Sequence, residues 1–258
     1  MNRIKQLFQR KKSGILSIYC TAGYPELNDT CRIIDSLSTQ GADMIEIGIP
    51  FSDPIADGPV IQASNQQALD NGMSLSLLFE QLAGARYYPE VPLVLMGYLN
   101  PIMQFGMEAF LDKAAAARAD GVIIPDLPIE VYTETYQHLF RARGICMIFL
   151  ITPHTPADRI RLIDDCSDGF VYMVTAAGTT GSSTAMGEAA TRYFEQVRNL
   201  SLRHPVLAGF GIHDRQGFDH ACSQVQGAII GSAFIRAISA PAETLEHRIQ
   251  HFINSIKS

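Results

Sequence analysis

Met44-Ile45-Glu46-Ile47 is a short aliphatic run that leads directly into Gly48-Ile49-Pro50-Phe51-Ser52-Asp53-Pro54-Ile55-Ala56-Asp57-Gly58-Pro59. The run barely alternates with polar residues, which is how a parallel strand covered on both faces reads. Seven similar runs accompany it. Ile15–Tyr19 precedes it, and Leu93–Met96, Val122–Ile124, Cys146–Leu150, Phe170–Val174, Val206–Ala208 and Ala228–Ile230 follow. Between them lie amphipathic stretches with helical spacing. Ile33, Ile34 and Leu37 share one face over 30–39, Phe110 and Leu111 anchor 108–118, and Tyr193, Phe194 and Val197 anchor 189–200. Strands alternating with helices make βαβ units. Eight of them in 258 residues predict a closed (β/α)₈ barrel, the TIM-barrel class of α/β fold. No linker divides the chain, so residues 1–258 are expected to form a single domain.

The rhythm breaks once. About fifty residues separate the second and third runs, and the extra length starts right after Glu46. Three prolines and two glycines over 48–59 predict a stiff, extended second βα loop. Active sites of such barrels form at the carboxyl ends of the strands, from the βα loops. Ile4, Leu7 and Phe8 have helical spacing, so a short amphipathic helix is expected ahead of the first strand.

Composition excludes several functions. A net charge of −6, with one basic cluster at Arg10-Lys11-Lys12 that reads as a solvated helix end, gives no footprint for nucleic acid. The amino terminus does not read as a signal peptide, and no stretch is apolar enough to span a membrane. The five cysteines show no CxxC pair, which points to a reducing, cytoplasmic setting without disulfides or a zinc knuckle. No lysine lies in or just after a strand, so a Schiff-base aldolase is not expected. Apart from His247 and His251 on the last helix, no histidine pair has metal-ligand spacing, so no metal is expected; His154 and His213 read as loop-surface residues.

Glu46 sits inside an apolar strand, with Ile45 and Ile47 on the opposite face. A carboxylate there is expensive to desolvate. It is either a structural acid paired with an arginine or backbone amides, or a proton-shuttling group with a raised pKa. Asp57, before Gly58-Pro59, is by itself ordinary turn chemistry, and so is Asp53 before Pro54. Asp126, after the fourth strand, reads either as an acid that supports a site residue from behind or as a loop-anchoring acid. Gly178-Thr179-Thr180-Gly181, Gly209-Phe210-Gly211 and Gly231-Ser232 follow the last three strands. Glycines in successive βα loops, the last opening a helix, predict a phosphate site.

The run from Glu46 to Pro59 resembles the signature of the tryptophan synthase alpha chain family. Thr21-Ala22-Gly23-Tyr24-Pro25, Asp126-Leu127-Pro128, Gly209-Phe210-Gly211-Ile212 and Gly231-Ser232 match in order, so the resemblance spans essentially the whole chain. It implies retro-aldol cleavage of indole-3-glycerol phosphate to indole and glyceraldehyde 3-phosphate, with no cofactor in this subunit. Glu46 is then the acid/base and Asp57 the group that accepts the indole N–H. Gly181, Gly211, Gly231 and Ser232 hold the phosphate. Tyr19, Tyr172 and Phe210 line the indole pocket, a role to set against plain barrel core. Thr180 belongs to loop closure. The implied partner is a pyridoxal-phosphate beta subunit in an α₂β₂ complex, contacted through the second loop and the Asn100-Pro101 region. One departure stands out: Thr175-Ala176-Ala177-Gly178 lacks the arginine that familiar bacterial members carry there, which bears on loop closure. A stand-alone lyase, a non-catalytic activator of a beta subunit and a phosphosugar isomerase or epimerase are the alternatives. The retained Glu46 and Asp57 argue against the activator, and the long second loop against the isomerase.

Overall fold

The computed structural model describes residues 2–84, 91–175, 183–209, 211–240 and 243–257, and, within 183–190, the backbone. Its strands are β1 (Ile15–Thr21), β2 (Met44–Gly48), β3 (Leu93–Met96), β4 (Gly121–Ile123), β5 (Cys146–Ile148), β6 (Leu150–Ile151), β7 (Val171–Val174), β8 (Val206–Gly209) and β9 (Gly227–Ile230). All pair in parallel, in the order β5-β4-β3-β2-β1-β9-β8-β7-β6. The seam between β5 and β6 is closed by the chain itself. β5 and β6 are two pieces of the predicted fifth strand, interrupted at Phe149, and they bond to different neighbours. Asp168 N–H donates to the Met147 carbonyl at 3.0 Å and Tyr172 N–H to the Phe149 carbonyl at 3.0 Å, completing the ring. The eight expected runs therefore give a nearly closed TIM barrel of nine strand segments.

Helices cover the outside. Asp29–Gln40, Met107–Ala116 and Ser183–Asn199 fall where the apolar spacing places them. The long interval after β2 holds more than a loop: two helices, Pro59–Asp70 and Leu75–Ala83, complete it. Pro59 opens the first of these, where its missing N–H costs nothing.

The amino-terminal helix, Arg3–Arg10, plugs the end of the barrel opposite the βα loops. Ile4 and Leu7 are fully buried, and a Cβ on Gly121 would lie 2.9 Å from Ile4 Cδ1. Burying two such side chains stabilises the fold by roughly 3–6 kcal/mol. Arg3 binds Asp120 at 2.7 Å and Lys5 binds Asp168 at 3.0 Å. Lys11 binds Asp43 at 2.6 Å, so the basic cluster is not simply a solvated helix end. With the plug below and the loops above, the opposite mouth is left for chemistry. Among the described residues, no helix is long and apolar enough to cross a membrane.

Candidate active site

Register places the key side chains on one inward face. Tyr19 of β1 lies opposite Glu46 of β2, and Glu46 opposite Val94 of β3. Partners in a parallel ladder point to the same side of the sheet. Tyr19, Glu46, Met96, Tyr172 and Ile229 accordingly floor one cavity of about 270 Å³ at the carboxyl end of the barrel. Two strand-end glycines make room for the tyrosines. A Cβ on Gly48 would collide with the Tyr19 hydroxyl, and one on Gly209 with the Tyr172 hydroxyl. Gly209, read from sequence as part of a phosphate loop, thus serves the aromatic wall.

Glu46 is 1% exposed, and its Oε1 has no hydrogen-bond partner among the described residues. The arginine or backbone amides of a structural acid are not there for that oxygen. Burial, then the charge of Asp57, pushes the Glu46 carboxyl up to about 8. The same carboxyl and Asp57 hold the phenols of Tyr19 and Tyr172, both already raised by burial, well above their ordinary value. Both tyrosines therefore stay neutral and line the wall as hydrogen-bonding aromatics.

Asp57 reaches the cavity from the far end of the second loop. Its backbone does form a turn, with Asp57 N–H donating to the Pro54 carbonyl at 3.0 Å. Its side chain does something else. The Tyr98 hydroxyl donates to Oδ2 at 3.1 Å, and that same hydroxyl accepts from Ala56 N–H at 3.0 Å. Asn65, 2% exposed, is a second side-chain partner. Burial raises Asp57 to about 6, and these two bonds hold it down against that pressure. At neutral pH the cavity thus holds one mostly protonated carboxyl and one mostly ionised one.

The opposite wall is Gly211, Ile212, His213, Gly231, Ser232, Ala233 and Arg236. Gly211 is left-handed at φ +75, with nothing within 4 Å of the Cβ it lacks, so the backbone is open to a ligand. Gly231 caps the Ser232–Ser239 helix, whose amino terminus faces the cavity. Gly181, Thr180, Phe210 and the arginine-free stretch at Ala176 lie outside the described residues. His213 touches the cavity but is two-thirds exposed and leans on Asp214 at 3.4 Å, close to the surface role read for it. Among the described residues no cluster of His, Cys, Asp or Glu could hold a metal ion.

Comparison with known proteins assigns the chain to a family. The family described as Tryptophan synthase alpha chain matches residues 4–258. The chain belongs to the tryptophan synthase alpha chain family. The tryptophan synthase alpha chain of Flavobacterium johnsoniae is 51% identical over 257 residues, covering 100% of both chains. That of Christiangramia forsetii is 50% identical over 258 residues, covering 100% of this chain and 99% of the relative. Among solved structures, the alpha chain from Legionella pneumophila superposes with a TM-score of 0.88 at 30% identity, covering 100% of this chain and 96% of its own.

Among the residues that line this cavity or hold Asp57, sequence reasoning overlooked Tyr98, Asn65 and Arg236. Tyr98 comes just after β3, where the rule that found the other site residues already pointed. Asp126 secures that segment, accepting from Leu99 N–H at 2.8 Å, as a loop anchor should. Asn65 had a subtler signal. Ile61, Ser64, Asn65 and Ala68 share the buried face of their helix, and two polar residues on such a face need partners. Ser64 finds Thr21 at 2.7 Å, and Asn65 finds Asp57.

Proposed function

We propose that this chain, as one barrel domain over 1–258, cleaves indole-3-glycerol phosphate to indole and glyceraldehyde 3-phosphate in tryptophan biosynthesis. The observation that carries the reading is a pair of carboxyls in one cavity, Glu46 with an unpartnered oxygen and pushed up to about 8, and Asp57 held by Tyr98 and Asn65 and raised only to about 6. Retro-aldol cleavage asks for that division. Indole departs only when its C3 has gained a proton and the side-chain hydroxyl has lost one. Protonated Glu46 gives its proton to C3. Ionised Asp57 accepts the ring N–H and stabilises the cationic indolenine. Glu46, now ionised, takes the hydroxyl proton. The C3–C1′ bond breaks, its electrons restore the indole, and C1′ becomes the aldehyde. One proton enters and one leaves, so the residue ends as it began and no cofactor is consumed.

Tyr19 and Tyr172 flank the indole in this reading, with Phe210 as a third aromatic. The open backbone at Gly211, the cap at Gly231 and the helix start at Ser232 support a phosphate seat, to which the family resemblance adds Gly181, with Thr180 for loop closure. Two results test this assignment. Asp57→Asn keeps the shape and removes the charge, and is expected to lower kcat about 100-fold. Tyr98→Phe removes one of the bonds that hold Asp57 ionised. Its kcat at pH 7 should fall about fivefold, and the acidic limb of the pH–rate profile should move upward, because the Asp57 carboxyl rises further. Release of indole from indole-3-glycerol phosphate by the purified chain, followed by its absorbance, tests the reaction itself. A phosphosugar isomerised without indole release defeats it.

The partner in this reading is a pyridoxal-phosphate beta subunit in an α₂β₂ complex, which takes up the indole. Support comes from exposed apolar side chains after consecutive strands. Ile55 after β2 is 85% exposed, and Met103 and Val131 stand out after β3 and β4. A cytoplasmic setting agrees with five cysteines that are all unpaired.

A further inference from the structure

We propose that Arg236 is a substrate-binding residue that recognises the phosphate end of the ligand by its charge. The inference rests on the phosphate seat proposed above and goes beyond its backbone groups. Arg236 lies four residues after Ser232 on the Ser232–Ser239 helix, one turn further along the same face. Ser232, Ala233 and Arg236 all line the cavity, with Gly211 and Gly231 beside them. Its guanidinium forms no ion pair among the described residues. Other arginines on the surface are engaged: Arg32 by Glu246, Arg143 by Asp112, Arg159 by Glu130, Arg215 by Asp219. Arg236 is exposed, so it stands at the rim and not on the floor.

The charge balance of the cavity gives the residue its purpose. The walls carry the ionised carboxylate of Asp57, and the incoming phosphate adds up to two negative charges. Backbone N–H groups and a helix end supply partial positive charge only. The other basic side chain in the wall, His213, already faces Asp214. Arg236 brings a full positive charge in a planar fork suited to phosphate oxygens. Being at the rim, it acts on binding and capture, and its effect is screened by salt. It is remote from the reacting carbons, so chemistry after binding does not depend on it.

The test uses the full chain with Arg236→Met, which keeps the apolar stem, and Arg236→Lys, which keeps the charge. In Arg236→Met the KM for indole-3-glycerol phosphate and the dissociation constant for inorganic phosphate should each rise about tenfold. kcat should stay within about twofold, and the affinity for indole-3-propanol, which lacks the phosphate, should not move. Arg236→Lys should recover most of the loss. Raising the salt should weaken phosphate binding to wild type more than to Arg236→Met. Wild-type affinity for inorganic phosphate in Arg236→Met overturns the proposal, and so does an equal loss of indole-3-propanol binding. Inorganic phosphate is measured by titration calorimetry, so Arg236 is read even for a chain that turns over no indole-3-glycerol phosphate. A wild-type chain without turnover defeats the proposed function alone. A chain that binds no phosphate with either arginine or methionine defeats the Arg236 proposal.

Discussion

Glu46→Gln is expected to lower kcat for indole-3-glycerol phosphate about 1,000-fold while leaving the barrel folded. The size follows from what the residue does twice in one turnover. In the proposed mechanism it protonates the ring carbon and then removes the hydroxyl proton, and glutamine does neither. The change is isosteric, and Oε1 has no partner to lose among the described residues, so the side chain keeps its place beside Tyr19 and Tyr172. KM should move less than about threefold, because the proposed phosphate seat is built from other loops of the cavity than Glu46's strand. The pH profile separates a chemical role from a packing role. Wild-type activity needs Asp57 ionised and Glu46 protonated at the start. It should therefore fall below about 6 and above about 8. The residual activity of Glu46→Gln should keep the acidic limb and lose the alkaline one. Steady-state assays with a beta subunit present read both features. Turnover within tenfold of wild type, or an unchanged alkaline limb, removes Glu46 from the mechanism.

The barrel and the acid at its mouth were legible in the sequence for the same reason. A strand buried on both faces has no use for polar residues, so eight aliphatic runs stand out, and so does one glutamate inside them. Asp57 was not legible alone, because Asp-Gly-Pro is common turn chemistry and the turn is really there. What distinguishes it is where the side chain goes: to Tyr98, beyond two helices and a strand in the sequence, and to Asn65, on the helix that follows the loop. The interruption at Phe149 was hidden because Cys146–Leu150 is apolar throughout, and hydropathy does not register which neighbour each peptide bonds to. Lys11 looked like part of a solvated basic cluster because its partner, Asp43, arrives from the next βα unit. Arg236 was passed over as a helix residue. Its spacing from Ser232 was visible, but the shared cavity wall was not.

Glu46→Gln should also change how stability depends on pH, by an amount comparable to its effect on catalysis. In the unfolded chain this carboxyl ionises near its ordinary value of 4.5, whereas in the folded chain burial holds it protonated up to about 8. Between those values the folded state keeps a proton that the unfolded state has released. Stability from this group is therefore fully present below about 4.5 and is lost as pH rises through 8. At about 1.4 kcal/mol for each pH unit, the full loss between 4.5 and about 8 is on the order of 5 kcal/mol. Asp57 adds a smaller loss of the same sign between 3.8 and about 6, but it is present in both proteins and cancels in the comparison. Glutamine does not titrate, so its variant escapes the Glu46 part. Any cost of burying an amide is the same at every pH and shifts the whole curve without tilting it. The phenols of Tyr19 and Tyr172, held well above their ordinary value, and the Cys20 thiol, pushed up to about 12, are present in both proteins and cancel in the same way. Urea denaturation from pH 5 to 8.5 reads the difference as a widening gap between midpoints. The variant should gain on wild type by on the order of 4 kcal/mol across that range. Curves that run parallel would mean that Glu46 ionises alike in the folded and unfolded chain. A protein selected for the most stable barrel would place an uncharged residue at this position. On the proposed mechanism, keeping a glutamate there sacrifices stability at neutral pH for a proton held ready at the reacting carbon.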